Sequence, residues 1–86
     1  MAGAAGVAAV DRALAILDAF TDQDQKLSLA ELAKRTGLYK STAIRLAKSL
    51  EKARYLYRSE DGAYRLGSKV LSLGAMYQKH FGTAEV

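Results

Sequence analysis

The sequence predicts a mainly helical fold with one small β-hairpin, a winged helix-turn-helix. Three observations predict it. A capped helix ends in glycine at Gly37, and a second amphipathic helix begins almost at once. The residue pattern then changes from helical to strand-like over Tyr55–Arg58, with an Asp-Gly turn signal at Asp61-Gly62. Finally, the outward face of the second of those helices carries hydrogen-bond donors and no acid.

The first helix is expected from about Val10 to Phe20. Ala13, Leu14, Ile16, Leu17 and Phe20 recur at helical spacing, and Asp11 sits in the first turn, where negative charge suits the helix dipole. Residues Met1 to Ala9 are small and apolar, carry no Lys or Arg, and read as a flexible arm, not as a secretory leader with a basic start. Thr21 to Lys26 is polar and reads as a loop. Ser28-Leu29-Ala30-Glu31 has the spacing of a capping box, in which the serine hydroxyl accepts from the amide three residues on and the glutamate reaches back. That second helix runs to about Thr36, with Leu29, Leu32 and Ala33 inward. Gly37 stops it, because glycine accepts the left-handed conformation that commonly follows a helix.

The third helix is expected to start at Ser41 and Thr42, both good capping residues, and to run to about Ala53. At about 100° per residue, Ala43, Leu46, Ala47 and Leu50 share one face. Ser41, Arg45, Lys48 and Lys52 share the opposite one, flanked by Ile44 and Ser49. Tyr55 to Arg58 and Ala63 to Leu66 form the hairpin. A last helix starts near Ser68, with Val70, Leu71, Leu73, Gly74, Tyr77 and Phe81 on its apolar side. Glycine inside a helix costs about 1 kcal/mol relative to alanine, so Gly74 points to close packing there. The predicted organisation is an arm over 1–9, the winged domain over 10–67 and a linker-type helix with its tail over 68–86.

The charge is unevenly placed. Residues 1–31 carry two bases against five acids, net −3, whereas residues 34–58 carry eight bases against one acid, net +7. A concentrated basic segment suits a polyanion; taken alone it equally suits a solvated face. The third helix separates the two. A solvated face usually mixes signs, because opposite charges four residues apart stabilise it, and here the stripe is single-signed. At 86 residues the chain holds one domain whose own core is marginal, so a partner subunit or further domain would help.

A helix so placed lies in the major groove of duplex DNA with its N-terminal residues at base edges. Arg45 then suits a bidentate bond to guanine O6 and N7. Ser41 and Thr42 reach phosphate or base, and Lys40, Lys48 and Lys52 reach phosphates. Arg58 and Arg65 on the wing fit a backbone or minor-groove contact, or simply a solvated strand. The candidate DNA contacts are Ser28, Thr36, Lys40, Ser41, Thr42, Ile44, Arg45, Lys48, Ser49, Lys52, Arg58 and Arg65. The five tyrosines are scattered over different elements and form no stacking platform for single strands; Tyr64 and Tyr77 read as core or hairpin packing. No catalytic residue, cofactor site or metal site is expected. Cysteine is absent, the lone His80 reads as a solvated helix-end residue, and no phosphate loop or nucleophile elbow occurs. No run of about 18 apolar residues suggests a membrane span. A winged-helix protein-interaction module without DNA readout is the alternative reading, since fold alone does not fix function.

The chain resembles the IclR (isocitrate lyase regulator) family of bacterial transcription regulators over roughly Val7 to Phe81. The resemblance rests on Arg12-Ala13-Leu14-Ala15-Ile16-Leu17, Gly37-Leu38 with Lys40-Ser41-Thr42, Arg45-Leu46, Glu51, Tyr55, Tyr64-Arg65-Leu66-Gly67 and Leu73-Gly74. It implies a cytoplasmic, nucleoid-associated homodimer on an inverted-repeat, double-stranded DNA operator. The first and last helices would pair the domains, through Val10, Leu14, Leu17, Leu73 and Tyr77. It also implies a separate C-terminal domain, absent from this chain, that takes a small-molecule effector. Two positions depart from the family pattern. Tyr39 stands where proline is usual and offers a contact of its own, and Arg54 stands where glycine commonly ends the third helix. Either the helix ends differently here, or Arg54 is held by something such as a phosphate.

Overall fold

The computed structural model describes residues 6–82. In chain order it contains α1 (Ala8–Asp18), α2 (Leu29–Thr36), α3 (Lys40–Lys52), β1 (Leu56–Arg58), β2 (Tyr64–Leu66) and α4 (Ser68–Phe81). Four helices and one antiparallel hairpin make up the predicted winged helix-turn-helix.

Helix α1 starts two residues before Val10, because Ala8 and Ala9 are strong helix formers. The part of the expected arm before Gly6 lies outside the described residues, as does the tail after Gly82. The helix also ends before Phe20. Phe20 N donates to the Leu17 carbonyl in a tightened last turn (3.3 Å), and Asp24 Oδ2 then accepts from Thr21 N and Oγ1 (3.0 and 2.7 Å), turning the chain away.

Both arms of the capping box at α2 are formed: Glu31 N donates to Ser28 Oγ (3.1 Å) and Ser28 N to Glu31 Oε1 (2.8 Å). Gly37 closes the helix at φ 76°. Only Gly37, Leu38 and Tyr39 separate α2 from α3. The expected cap of α3 by Ser41 and Thr42 is not what forms. The helix starts at Lys40 with Tyr39 in the capping position and no side-chain cap, so Ser41 and Thr42 lie inside the first turn. The short connection explains this, because Leu38 N is held on Thr36 Oγ1 (3.3 Å) and leaves no further residue outside the helix.

The far end of α3 does not end differently from a glycine-stopped helix. Tyr55 N donates to Leu50 O (2.8 Å) and Arg54 N to Glu51 O (3.0 Å), with Arg54 itself left-handed at φ 69°. This is the paired-bond helix ending that usually takes glycine, built here on arginine.

In the hairpin Leu56 faces Leu66, Tyr57 faces Arg65 and Arg58 faces Tyr64. Each strand is one residue shorter than expected, because Tyr55 completes the helix ending and Ala63 belongs to the turn. That turn runs over Ser59–Ala63. Ser59 N donates to Ala63 O (2.8 Å), Ala63 N to Asp61 Oδ1 (3.0 Å), and Gly62 sits at φ 88°. Leu27, just before α2, exchanges both backbone bonds with Tyr64 (2.8 Å each), so the wing is stitched to the helix-turn-helix. Beneath this junction Ile16, Leu27, Leu32, Ala47, Leu50, Leu56 and Tyr64 form the core.

Helix α4 is anchored only at its start, where Gly67 N donates to Tyr55 O (2.8 Å) and Lys69 N to Arg54 O (3.0 Å). None of its residues is buried. The apolar side expected to pack is exposed in the single chain, apart from half-buried Val70. The close packing expected at Gly74 is not found among the described residues either: an added Cβ there meets nothing within 4 Å.

Candidate nucleic-acid interface

The geometry of α3 follows from which of its faces the core takes. Ala43, Ala47 and Leu50 are buried, with Leu46 half-buried beside them. That leaves Ser41, Arg45, Lys48 and Lys52 on the opposite side, all exposed. None of these four side chains makes a hydrogen bond or salt bridge among the described residues, where the only salt bridges are Lys26–Asp61 and Arg35–Asp24. The helix's one acid, Glu51, is half-buried and turned toward the base of the hairpin, lining a crevice with Arg54 and Tyr57. The stripe therefore presents donors only, on a rigid helix whose first amides also point outward at its N-terminus.

The remaining expected contacts are placed less uniformly. Lys40 is exposed at the leading end of α3, and Thr42 and Ile44 are half-buried flanks. Ser49 is exposed but lies on the flank that lines a groove with α1 and α4, away from the stripe. Thr36 spends its hydroxyl inside the turn, donating to Leu32 O (2.7 Å) and accepting from Leu38 N (3.3 Å). The Ser28 hydroxyl accepts from Glu31 N within the capping box. The Ser28 amide, and then its side chain, hydrogen-bond the Glu31 carboxylate and hold it below its usual range.

On the wing, Arg58 and Tyr64 are cross-strand partners, with the guanidinium 5.5 Å from the ring centre and Nε bonded to Gly62 O (3.4 Å). Arg65 lies 5.0 Å over Tyr57 on the outer face. Both guanidiniums are held in place, as an arginine over an aromatic face is.

The basic segment is also less free than its composition indicates. Arg35 donates to both carboxylate oxygens of Asp24 (2.7 and 3.2 Å) and to Ala19 O (2.9 Å), clamping the α1–α2 loop to α2. The Arg35 hydrogen bonds, then those from Thr21, hold the Asp24 carboxyl well below the usual carboxylate range. Lys26, followed by the Ala63 amide, likewise lowers Asp61 and ties the wing tip to the chain ahead of α2.

An apolar groove of about 670 Å³ lies between α1, α3 and α4. Val10, Leu14, Leu17 and Leu73, four of the five residues expected at a subunit contact, line it together with Leu46 and Val70. Tyr77 does not reach it; it sits further along α4, stacked on Phe81 with ring centres 5.1 Å apart. Outside the expected set, Tyr39 is strongly exposed beside Lys40. Its aromatic ring directly ahead of a basic helix start is the sequence signal for it.

The sequence profile of the IclR helix-turn-helix domain matches residues 9–60. The HTH-type transcriptional regulator XynR of Escherichia coli K12 is 41% identical over 69 residues, which are 79% of this chain and 27% of XynR. A solved IclR family transcriptional regulator from Brucella abortus superposes with a TM-score of 0.77 at 36% identity, over 84% of this chain and 28% of that one. The Agobacterium tumefaciens repressor BlcR does so with a TM-score of 0.74 at 31% identity, over 87% and 30%. The chain thus spans less than a third of the length of these relatives.

Proposed function

This chain belongs to the IclR helix-turn-helix domain family, and from that premise we propose that it binds double-stranded DNA sequence-specifically in bacterial transcription regulation, as a homodimer on an inverted repeat. The observation that carries the reading is the exposed, single-signed stripe of Ser41, Arg45, Lys48 and Lys52 on the face of α3 opposite the one that enters the core. A row of like charges repels itself, and a phosphate backbone offsets that repulsion while releasing its counterions. Within this reading Arg45 reads a guanine, and Lys40, Lys48 and Lys52 contact phosphates. Ser41 and Thr42 contact phosphate or base, Ser28 approaches a phosphate from the start of α2, and Arg58 and Arg65 approach the DNA from the wing. Ile44 and Ser49 flank the contacting stripe, and Thr36 acts by holding the turn ahead of α3.

Dimerisation is supported by the groove and by α4. Exposed apolar area on α1 (Val10 and Leu14) faces that on α4 (Leu73) across the groove. Contiguous apolar area of this kind marks an association surface. A second copy presents the same helices, and a two-fold pairing would place two copies of α3 on two half-sites. Response to a small-molecule effector would reside in chain beyond this domain, and a DNA-binding regulator of this kind works in the cytoplasm.

In vitro selection from a random duplex pool, at low and at moderate salt, tests the proposal. The expected result is enrichment of an inverted repeat. Absence of duplex binding at both salt concentrations would overturn the reading in favour of a protein-interaction module.

A further inference from the structure

We propose that Tyr39 reads sequence, its ring packing against the 5-methyl group of a thymine at the base pair met by the leading end of α3. The inference rests on the DNA-binding reading and adds to it one residue and one base.

Tyr39 is 85% exposed, more than any other large apolar side chain among the described residues. The others have neighbours of their own kind. Val10, Leu14, Leu71, Leu73 and Met76 belong to α1 and α4, Val7 stands in the capping position of α1, and Tyr57 and Leu66 lie on the wing. Tyr39 stands apart from both groups. Among the described residues its side chain has no hydrogen bond, no stacked ring and no cation over its face.

Its backbone, in contrast, is well held. It is extended at φ −66° and ψ 147° in the capping position of α3, and its carbonyl accepts from Ala43 N at 2.9 Å. Leu38 before it is tied to Thr36. The ring is thus mounted on an ordered support, with only two side-chain torsions to fix on contact.

The leading end of a recognition helix is the part that meets base edges. There the major groove offers hydrogen-bonding groups and one apolar group, the thymine methyl. The residues next to Tyr39, Lys40 and Ser41, are exposed donors suited to phosphate. The tyrosine ring is the large apolar surface at that end, so the methyl is the feature of DNA it matches.

The test uses this 86-residue chain and the duplex selected with it. Each thymine in the selected duplex is replaced singly by deoxyuridine, which deletes only the methyl group, and affinities are measured for wild type, Tyr39→Phe, Tyr39→Ala and Arg45→Ala. One deoxyuridine position per half-site should weaken wild type and Tyr39→Phe by about fourfold, the worth of one buried methyl group. Tyr39→Ala should be insensitive to that replacement. Circular dichroism melts of the exposed-site variants should match wild type.

Three results would overturn the proposal while leaving DNA reading intact, provided Arg45→Ala still relaxes the preference. The first is deoxyuridine without effect at every position. The second is Tyr39→Ala retaining full methyl sensitivity. The third is Tyr39→Phe behaving like Tyr39→Ala, which would assign the contact to the hydroxyl and a phosphate. A wild-type selection that enriches nothing would overturn sequence-specific reading, and Tyr39 with it.

Discussion

The carbonyl oxygen of Arg54 lies 2.3 Å from where a Cβ on residue 67 would stand, so Gly67 is fixed by the approach of the two chains that enter and leave the hairpin. The same carbonyl accepts from Lys69 N and so sets where α4 begins. Gly67→Ala must push these segments apart. It should destabilise the domain by about 1–3 kcal/mol, the usual cost of forced overpacking, read from the midpoint of urea unfolding. Arg54→Gly should act the other way. Relief of the left-handed arginine is worth about 1–2 kcal/mol, and the added freedom of the unfolded chain removes about 0.4–1 kcal/mol of that, so a small rise in stability is expected.

The clamp between Asp24 and Arg35 should show itself through pH. Asp24 titrates lower in the fold than in the unfolded chain, because Arg35 and Thr21 donate to its charged form. Its contribution is therefore fully present above the unfolded carboxylate value of about 3.9 and is lost as pH falls below it. Thermal melts of wild type and Asp24→Asn should differ at neutral pH, and the difference should shrink steadily from about pH 4 downward. A difference independent of pH would remove the clamp from the account.

Much of the fold was legible because its determinants are local. The Ser28–Glu31 box, the Gly37 stop and the two faces of α3 each lie within a few residues of sequence. What was not legible depends on partners far along the chain. Leu27 gives no sign that it will exchange backbone bonds with Tyr64, yet that pair fixes the wing. Ser49 flanks the donor stripe by angle alone, and only the positions of α1 and α4 assign it to the groove. Thr36 looks like an available hydroxyl until the three-residue turn uses it twice. The apolar positions of α4 recur at helical spacing, but periodicity does not say whether the chain itself covers them, and none of them is buried.

Lys48 and Lys52 separate affinity from sequence reading. Each neutralises a phosphate in this account, so Lys48→Ala and Lys52→Ala should each reduce the slope of log affinity against log salt by about 0.9. Both should weaken binding about evenly across sequences, with the selected consensus unchanged. A changed consensus would make either lysine a base reader.

The groove makes a prediction about assembly. Leu14→Glu and Leu73→Glu alter exposed positions and should leave the monomer folded, because a charge there stays in water when no partner covers it. In sedimentation equilibrium both variants should shift toward monomer. On an inverted repeat each should bind with the affinity of a single half-site. Unaltered association in both variants would place the subunit contact elsewhere.

The most direct test of the central claim, that the outward face of α3 reads DNA, is the affinity of Arg45→Ala for the selected duplex and for versions with each guanine replaced in turn. The account predicts a loss of about 1–3 kcal/mol and relaxed preference at one base pair per half-site. Wild-type affinity together with wild-type preference in Arg45→Ala would contradict it.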